Sequence, residues 1–249
     1  MAGISTPYRR TNRPFLDGLY SEGGRAAYIR HPKFSQHPEQ FIRAFGIIQK
    51  DLLELFDYIE PSDVNLRTYS YRVHELFMRV CIEIEANFKA ILNENGYGRR
   101  DLTMRDYKKT NTTHRLSSYQ VKLPIWNGSR GSRRPYAAWR KGGSLPWYSA
   151  YNASKHSRHD NFQQANLNNL IDAVCGLVAV IGAQFQTEDF EPASRLIAWE
   201  GGTPPDGFEE AIGGYFRIKF PDDWPMRLRY DFDVPTIWRA ADPFQSLTF

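Results

Sequence analysis

Apolar residues recur every three or four positions through Phe41, Ala44, Phe45, Ile48, Leu52, Leu55, Phe56 and Ile59, so the chain from Pro38 predicts a helix with one apolar stripe, stopped by Pro61. A longer helix is predicted over LRTYSYRVHELFMRVCIEIEANFKAILNENG, with Ser62 or Asp63 as its N-cap and Gly96 as its stop. Its expected core face is Tyr69, Val73, Phe77, Val80, Ile84, Phe88 and Ile91. On its flanks Glu75 and Arg79, Arg79 and Glu83, and Glu85 and Lys89 stand at i,i+4 and are expected to pair. His74 and Arg72 read as ordinary flank residues of the same helix.

Further along, Asp101 to Lys109 suggests a short helix capped by Asp101 or Thr103, SYQVKLPIW (118–126) a brief extended segment, and 127–146 a Gly-, Ser-, Pro- and Arg-rich loop. Trp147, Tyr148 and Tyr151 mark a short helix, followed by a polar cluster and a long apolar helix from about Asp160. In that last helix Leu167, Leu170, Ile171, Val174, Leu177, Val178, Ile181 and Phe185 form a wide apolar face, while Cys175, Ala179 and Ala183 form a small-residue stripe. So little of its circumference is polar that it is either central to a bundle or shared with a second subunit, which makes a homodimer through the 160–185 helix an expectation. Before these helices, residues 1–37 lack periodicity and read as an irregular, partly mobile arm; after them, YFRIKF (215–220) and MRLRYDF (226–232) alternate like half-buried strands around a PDDWP turn and predict an antiparallel hairpin. The fold class expected is therefore mainly α, an up-and-down helical bundle over 38–186, with a small C-terminal antiparallel β element in a 187–249 extension.

Composition supports a folded chain: 41% of its 249 residues are hydrophobic, with aromatic residues in every part. Cys81 and Cys175 both lie in apolar helical patterns and read as buried thiols of a reducing compartment. The first residues carry no apolar signal region, and no run of about 18 apolar residues suggests a membrane span, so a cytoplasmic protein with no membrane partner is expected. The net charge of +4 changes the picture through its distribution. Between positions 99 and 141 stand Arg99, Arg100, Arg105, Lys108, Lys109, Arg115, Lys122, Arg130, Arg133, Arg134, Arg140 and Lys141, against Asp101 and Asp106 alone. Tyr107, Tyr119, Trp126, Tyr136 and Trp139 are interleaved with them, a composition suited either to meeting phosphates and stacking bases or to a solvated basic loop.

No Walker loop, GxGxxG, HExxH, GxSxG or kinase set occurs, and the scattered histidines offer no metal-ligand spacing, so neither a cofactor nor a metal is expected. What remains is Asn152, Lys155, His156, Arg158 and His159. On one continuous helix Asn152, Lys155, His156 and His159 would share a face, bringing together an amide, an ammonium and two imidazoles. Imidazole moves protons near neutral pH and a cation stabilises a developing phosphorane, whereas the alternative role for these groups is to tie the final helix to its neighbours.

The long helix with EIEANFKAIL, followed by YNASKH opening a final apolar helix, resembles the HEPN-like proteins over about residues 38–186. That resemblance implies an all-helical domain that dimerises along its last helix and acts as a metal-independent endoribonuclease of toxin–antitoxin or phage-defence systems, or else as a non-catalytic binding or scaffold module. It also implies RNA as a partner and allows a protein antitoxin or other regulator. Active members carry an Arg, a polar residue and, four to six positions after the Arg, a His near the start of the last helix. Here His156 takes the histidine position, Lys155 stands in for the arginine, and Asn152 is the polar member that would orient His156. Arg158, His159, Arg133, Arg134, Arg140 and Lys141 are then the expected substrate-binding groups. Arg67 to His74 is one of three formal Arg–His matches elsewhere in the chain, alongside Arg25 to His31 and Arg30 to His37, a number close to chance.

Overall fold

The computed structural model describes residues 2–190 and 206–249. In chain order its helices are α1 (Pro38–Phe56), α2 (Tyr71–Glu94), α3 (Met104–Tyr107), α4 (Thr110–His114), α5 (Pro146–His156), α6 (Arg158–Asn161), α7 (Leu167–Phe185) and α8 (Val234–Arg239). Its strands are β1 (Gln120–Lys122), β2 (Ser132–Arg133), β3 (Glu209–Glu210) and β4 (Arg217–Lys219), in the antiparallel order β2-β1-β4-β3. The fold is mainly α with this small sheet. Half of the sheet comes from the middle of the chain, so the β element is less C-terminal than expected.

The 3.6-residue pattern built the helices it marked. Ile42, Phe45, Ile48, Leu52 and Leu55 of α1 are buried, as are Val73, Phe77, Val80, Ile84, Phe88 and Ile91 of α2. Tyr69 falls outside α2 and is 44% exposed. The cap of α2 is Ser70, whose Oγ accepts from the Val73 N–H at 3.2 Å, and neither Ser62 nor Asp63 serves there. None of the i,i+4 pairs expected on α2 forms: Arg79 turns to Asp51 of α1, Arg72 meets Glu75, and Glu85 accepts from Tyr148. The short helix is α3, capped by a reciprocal Thr103–Asp106 box, and the extended segment is β1.

α7 takes the central position. From Ala173 to Phe185 every residue is buried, held by α1, α2 and α5, the sheet and the N-terminal arm of the same chain. Its small residues admit neighbours other than a helix: a Cβ at Gly182 would stand 2.7 Å from Ile218 Cδ1 of β4. Cys175, Ala179 and Ala183 are wholly covered, so they present no free surface to a second subunit. By length and composition alone α7 could cross a membrane, although no such run was evident in the sequence; 83% of that window is buried inside the fold.

The arm at 2–37 forms 3-10 turns over Glu22–Arg30, interrupted at Gly23 and Gly24, is otherwise irregular, and packs on the core around Arg10 and at Tyr28, Ile29 and Phe34. Arg10, Thr11, Asn12 and Arg13 are buried, and the Asn12 N–H donates to the Ala183 carbonyl at 2.9 Å. Arg10 bonds Glu94 Oε1 at 2.6 Å and Gln184 Oε1 at 2.8 Å, while Gln184 Nε2 donates to Asn87 Oδ1 at 2.9 Å. His114 lies beneath this crossing, and burial pushes its imidazole down to about 4, so it is neutral near pH 7. The arm also pairs with the C-terminal segment through bridges from Ile4 and Phe15 to Tyr230.

That pairing corrects the hairpin expectation. β4 does form within 215–220, but its partners are β1 and β3, and 226–232 holds a 3-10 turn at Met226–Leu228 and then bridges the arm. An alternating pattern identifies a half-buried segment without naming its partner. Residues 191–205 of the expected extension lie outside the described residues.

Asp63 organises the loop before β2. It accepts from Trp126 Nε1 at 2.8 Å, from the Ser129 N–H and hydroxyl at 2.8 and 3.0 Å, and from the Arg130 N–H at 3.1 Å. Gly128 completes this turn at φ +126°, and a Cβ there would lie 2.4 Å from the Asp63 carboxyl carbon. These bonds, the Trp126 indole first, hold the Asp63 carboxyl at about 2. Because the folded value is depressed, its contribution is complete above the unfolded value of about 3.9 and is lost as pH falls through about 2. The stability difference between the native chain and Asp63→Asn, from denaturant melts, is therefore expected to shrink between about pH 4 and pH 2. Arg10→Met, which strands Glu94 and Gln184, is expected to cost about 3–5 kcal/mol in the same measurement at pH 7.

Candidate functional site

The polar cluster is split by the backbone. α5 ends at His156 because Ser157 adopts φ −143°, ψ 69°, and the Ser157 hydroxyl then bonds Asp160 Oδ2 at 2.6 Å over the turn of α6. The long apolar helix starts only at Leu167, with the turn Phe162–Gln164 between. Asn152, Lys155 and His156 thus stay on α5, while Arg158 and His159 belong to another helix. The single shared face expected for Asn152, Lys155, His156 and His159 does not form. His156 and His159 are exposed, and no hydrogen bond joins Asn152 to His156 among the described residues.

Lys155 and Arg158 do come together elsewhere. They line an open groove of about 520 Å³ between α2 and α5, with Tyr151 and Ser154 on the same wall and His74, Met78 and Ile82 of α2 opposite. Lys155 Nζ stands 5.3 Å from the Tyr151 ring centre, and the Arg158 guanidinium is 5.8 Å from that of Tyr71. Neither cation has a carboxylate partner among the described residues. Phe162 sits at the rim, its ring centre 5.7 Å from His74 and 4.8 Å from Tyr71.

His74 Nε2 is buried without a hydrogen-bond partner, and so is the Tyr151 hydroxyl. Burial first, and the Arg158 charge second, lower the His74 pKa from its ordinary value, so the ring is neutral near pH 7. Burial likewise raises the Tyr151 phenol, and the nearby Glu85 carboxylate adds to the shift. The groove therefore offers two cations without carboxylate partners beside a neutral imidazole: groups that hold an anion and accept a proton.

The basic stretch behaves differently from its composition. Arg133 is 5% exposed and bonds Asn168 and Asp172 at 2.9 and 3.0 Å, so it braces β2 against α7 and is unavailable to a substrate. Arg115 and Arg140 converge on Asp223, Lys122 pairs with Asp206, and Arg99 with Asp106. Arg134 and Lys141 remain exposed, but neither lines the groove. Tyr107, Tyr119, Trp126, Tyr136 and Trp139 are all buried, at 7% exposure or less. Their rings fill the core, so of the two readings of this stretch the one in which they stack bases does not hold for them.

Sequence reasoning treated His74 as a flank residue, yet a signal was present. Tyr71, His74, Met78 and Ile82 repeat at helical spacing beside the core stripe of α2, and Tyr71 and Ile82 are 68% and 57% exposed. Arg67 is no partner of His74 here: it precedes α2 and lines a different groove with Arg130, Asn166 and Asn169. Arg25 and Arg30 of the other spacing matches pair with Asp17 and Glu188.

No protein-family model matches the chain, and neither a curated protein nor a solved structure matches it. No cluster of three or more His, Cys, Asp or Glu side chains suited to a metal ion occurs among the described residues. The state of His74 can be read directly. In an NMR titration its midpoint is expected below the ordinary value of about 6.5, and Arg158→Ala is expected to raise it.

Proposed function

We propose that this chain is a HEPN-like, RNA-directed protein that holds a phosphodiester on Lys155 and Arg158 in the groove between α2 and α5. The observation that carries this reading is the convergence of two cations without carboxylate partners on a neutral, unpaired His74 imidazole. Cations left unpaired in an open groove attract a polyanion, and two of them on adjacent helices suit successive phosphate oxygens. The order of the helices, with a long α2, a polar α5 and an apolar last helix of the bundle, supports the HEPN-like assignment.

RNA also brings its own nucleophile. In the cleavage reaction the neutral His74 imidazole takes the proton of a 2′-hydroxyl, the 2′-oxygen attacks the adjacent phosphorus, and the bond to the 5′-oxygen breaks. Water supplies the proton for that leaving oxygen, and Lys155 and Arg158 stabilise the added charge on the phosphorane. The products are a 2′,3′-cyclic phosphate and a 5′-hydroxyl. This assignment moves the proton-transfer role from His156, which does not line the groove, to His74, which does. The second reading is a non-catalytic RNA-binding module, favoured by one specific fact: His74 Nε2 is covered, so the ring must shift to meet a substrate hydroxyl.

Single-stranded RNA is expected to bind with an affinity that falls as salt rises, by about 0.7 in logarithmic slope for each phosphate contacted. Lys155→Ala and Arg158→Ala are each expected to reduce that slope. Cleavage that ends in a cyclic phosphate and is lost in His74→Ala establishes the enzyme; binding without turnover establishes the module. RNA affinity absent at low salt, or unchanged by both cation substitutions, overturns the proposal.

A further inference from the structure

The rim of the groove holds a feature that phosphate binding does not use. Tyr71, the first residue of α2, is 68% exposed although its ring lies among other rings. Phe162 stands 4.8 Å from it at an interplanar angle of 42°, and the same Phe162 meets Tyr69 at 5.6 Å and His74 at 5.7 Å. The Arg158 guanidinium approaches the Tyr71 ring at 5.8 Å. Phe162 is thus the hub that sets the positions of Tyr71 and His74 together, on a short turn between α6 and α7.

Large aromatic rings usually leave water when they can, and this chain buries most of its own. A tyrosine left open beside an aromatic hub and a guanidinium offers a π-face next to a cation. Its position is also constrained: Tyr71 and His74 are three residues apart, about 4.5 Å along the axis of α2 at 1.5 Å per residue. Whatever stacks on Tyr71 therefore stands beside whatever His74 meets. An exposed apolar surface alone would suit many partners, but the cations flanking this one select a partner that carries flat apolar rings joined by negative charge.

We propose that Tyr71, backed by Phe162 and flanked by Arg158, is a stacking subsite for an unpaired nucleobase, adjacent to the phosphate held by Lys155 and Arg158. The inference rests on the phosphodiester reading of the groove and adds a base-binding element to it. A base in a duplex is stacked on both faces and cannot reach the ring, so the subsite admits a strand only where its bases are unstacked. Because every base has a π-face, Tyr71 contributes affinity and the placement of the nucleotide, with little preference among bases. Phe162 acts as a positioning residue, through Tyr71 and His74.

The test compares two fluorescent probes on the full chain: a short single-stranded RNA, and an oligomer of the same length and charge whose nucleotides lack bases. Tyr71→Ala is expected to weaken binding of the RNA by about tenfold or more, as the loss of one base–aromatic stack does, and to leave the abasic oligomer unchanged. Tyr71→Trp is expected to restore RNA binding. Thermal melts of both variants report the fold, and an exposed position at the start of α2 predicts little change. Equal effects of Tyr71→Ala on both probes, or none on either, overturn the stacking subsite while leaving the phosphate reading intact. Failure of the abasic oligomer to respond to Lys155→Ala and Arg158→Ala overturns the phosphate reading itself.

Discussion

Gln184 is a polar side chain in the most apolar helix of the chain, and it is wholly buried. Packing alone cannot satisfy an amide there; leaving it unpaired would cost the desolvation of each orphaned group. Its partners come from two other parts of the chain, Asn87 on α2 and Arg10 on the arm. Arg10 in turn needs a counter-charge, and Glu94 near the end of α2 provides it. The network explains why the residues around Arg10, outside any helix or strand, are bound to the core: they complete the hydrogen bonding of the helix at its centre. With the arm in place, Tyr230 and the C-terminal segment have an edge to bridge, and the chain's two ends lie together.

The same logic governs the charge. Read along the sequence, residues 99–141 form a block of cations; in the fold, acids from distant positions are brought to them. Asp172 on α7 meets Arg133, Asp206 meets Lys122, and Asp223 meets both Arg115 and Arg140. Each pairing removes a cation from the pool that could meet a polyanion, and the Arg133–Asp172 pair also ties the sheet to α7. Lys155 and Arg158, which also lack acid partners among the described residues, lie outside the basic block and share one groove. Local charge density does not say which cations are paired, because pairing is decided in space.

The candidate site was legible in part. YNASKH and the following Arg158 were visible as a polar junction ahead of an apolar helix, and Lys155 and Arg158 do share one groove. His156 drew attention by residue type and by its place in a family pattern, yet the break at Ser157 leaves it on an exposed flank. His74 belongs to the groove because α2 and α5 pack side by side, a relation that no spacing within either helix encodes. The stripe of Tyr71, His74, Met78 and Ile82 was in the pattern all along, but a second stripe beside a strong core stripe reads as an ordinary flank until something is seen facing it.

By itself the sequence determined the local elements: α1, α2, α5 and α7, the short helix after Asp101, the extended segment at β1, and most of the core faces of the helices. Each follows from hydrophobic periodicity and capping chemistry within a few residues, which are short-range interactions. Tertiary structure alone decided which strand pairs with which, that α7 is enclosed by its own chain, that five aromatics of the basic stretch are core, and that His74 faces Lys155 and Arg158. Those outcomes depend on satisfying buried polar groups and closing apolar surface between segments far apart in sequence. Alternation and charge say that a residue needs a partner; only the packed chain chooses it.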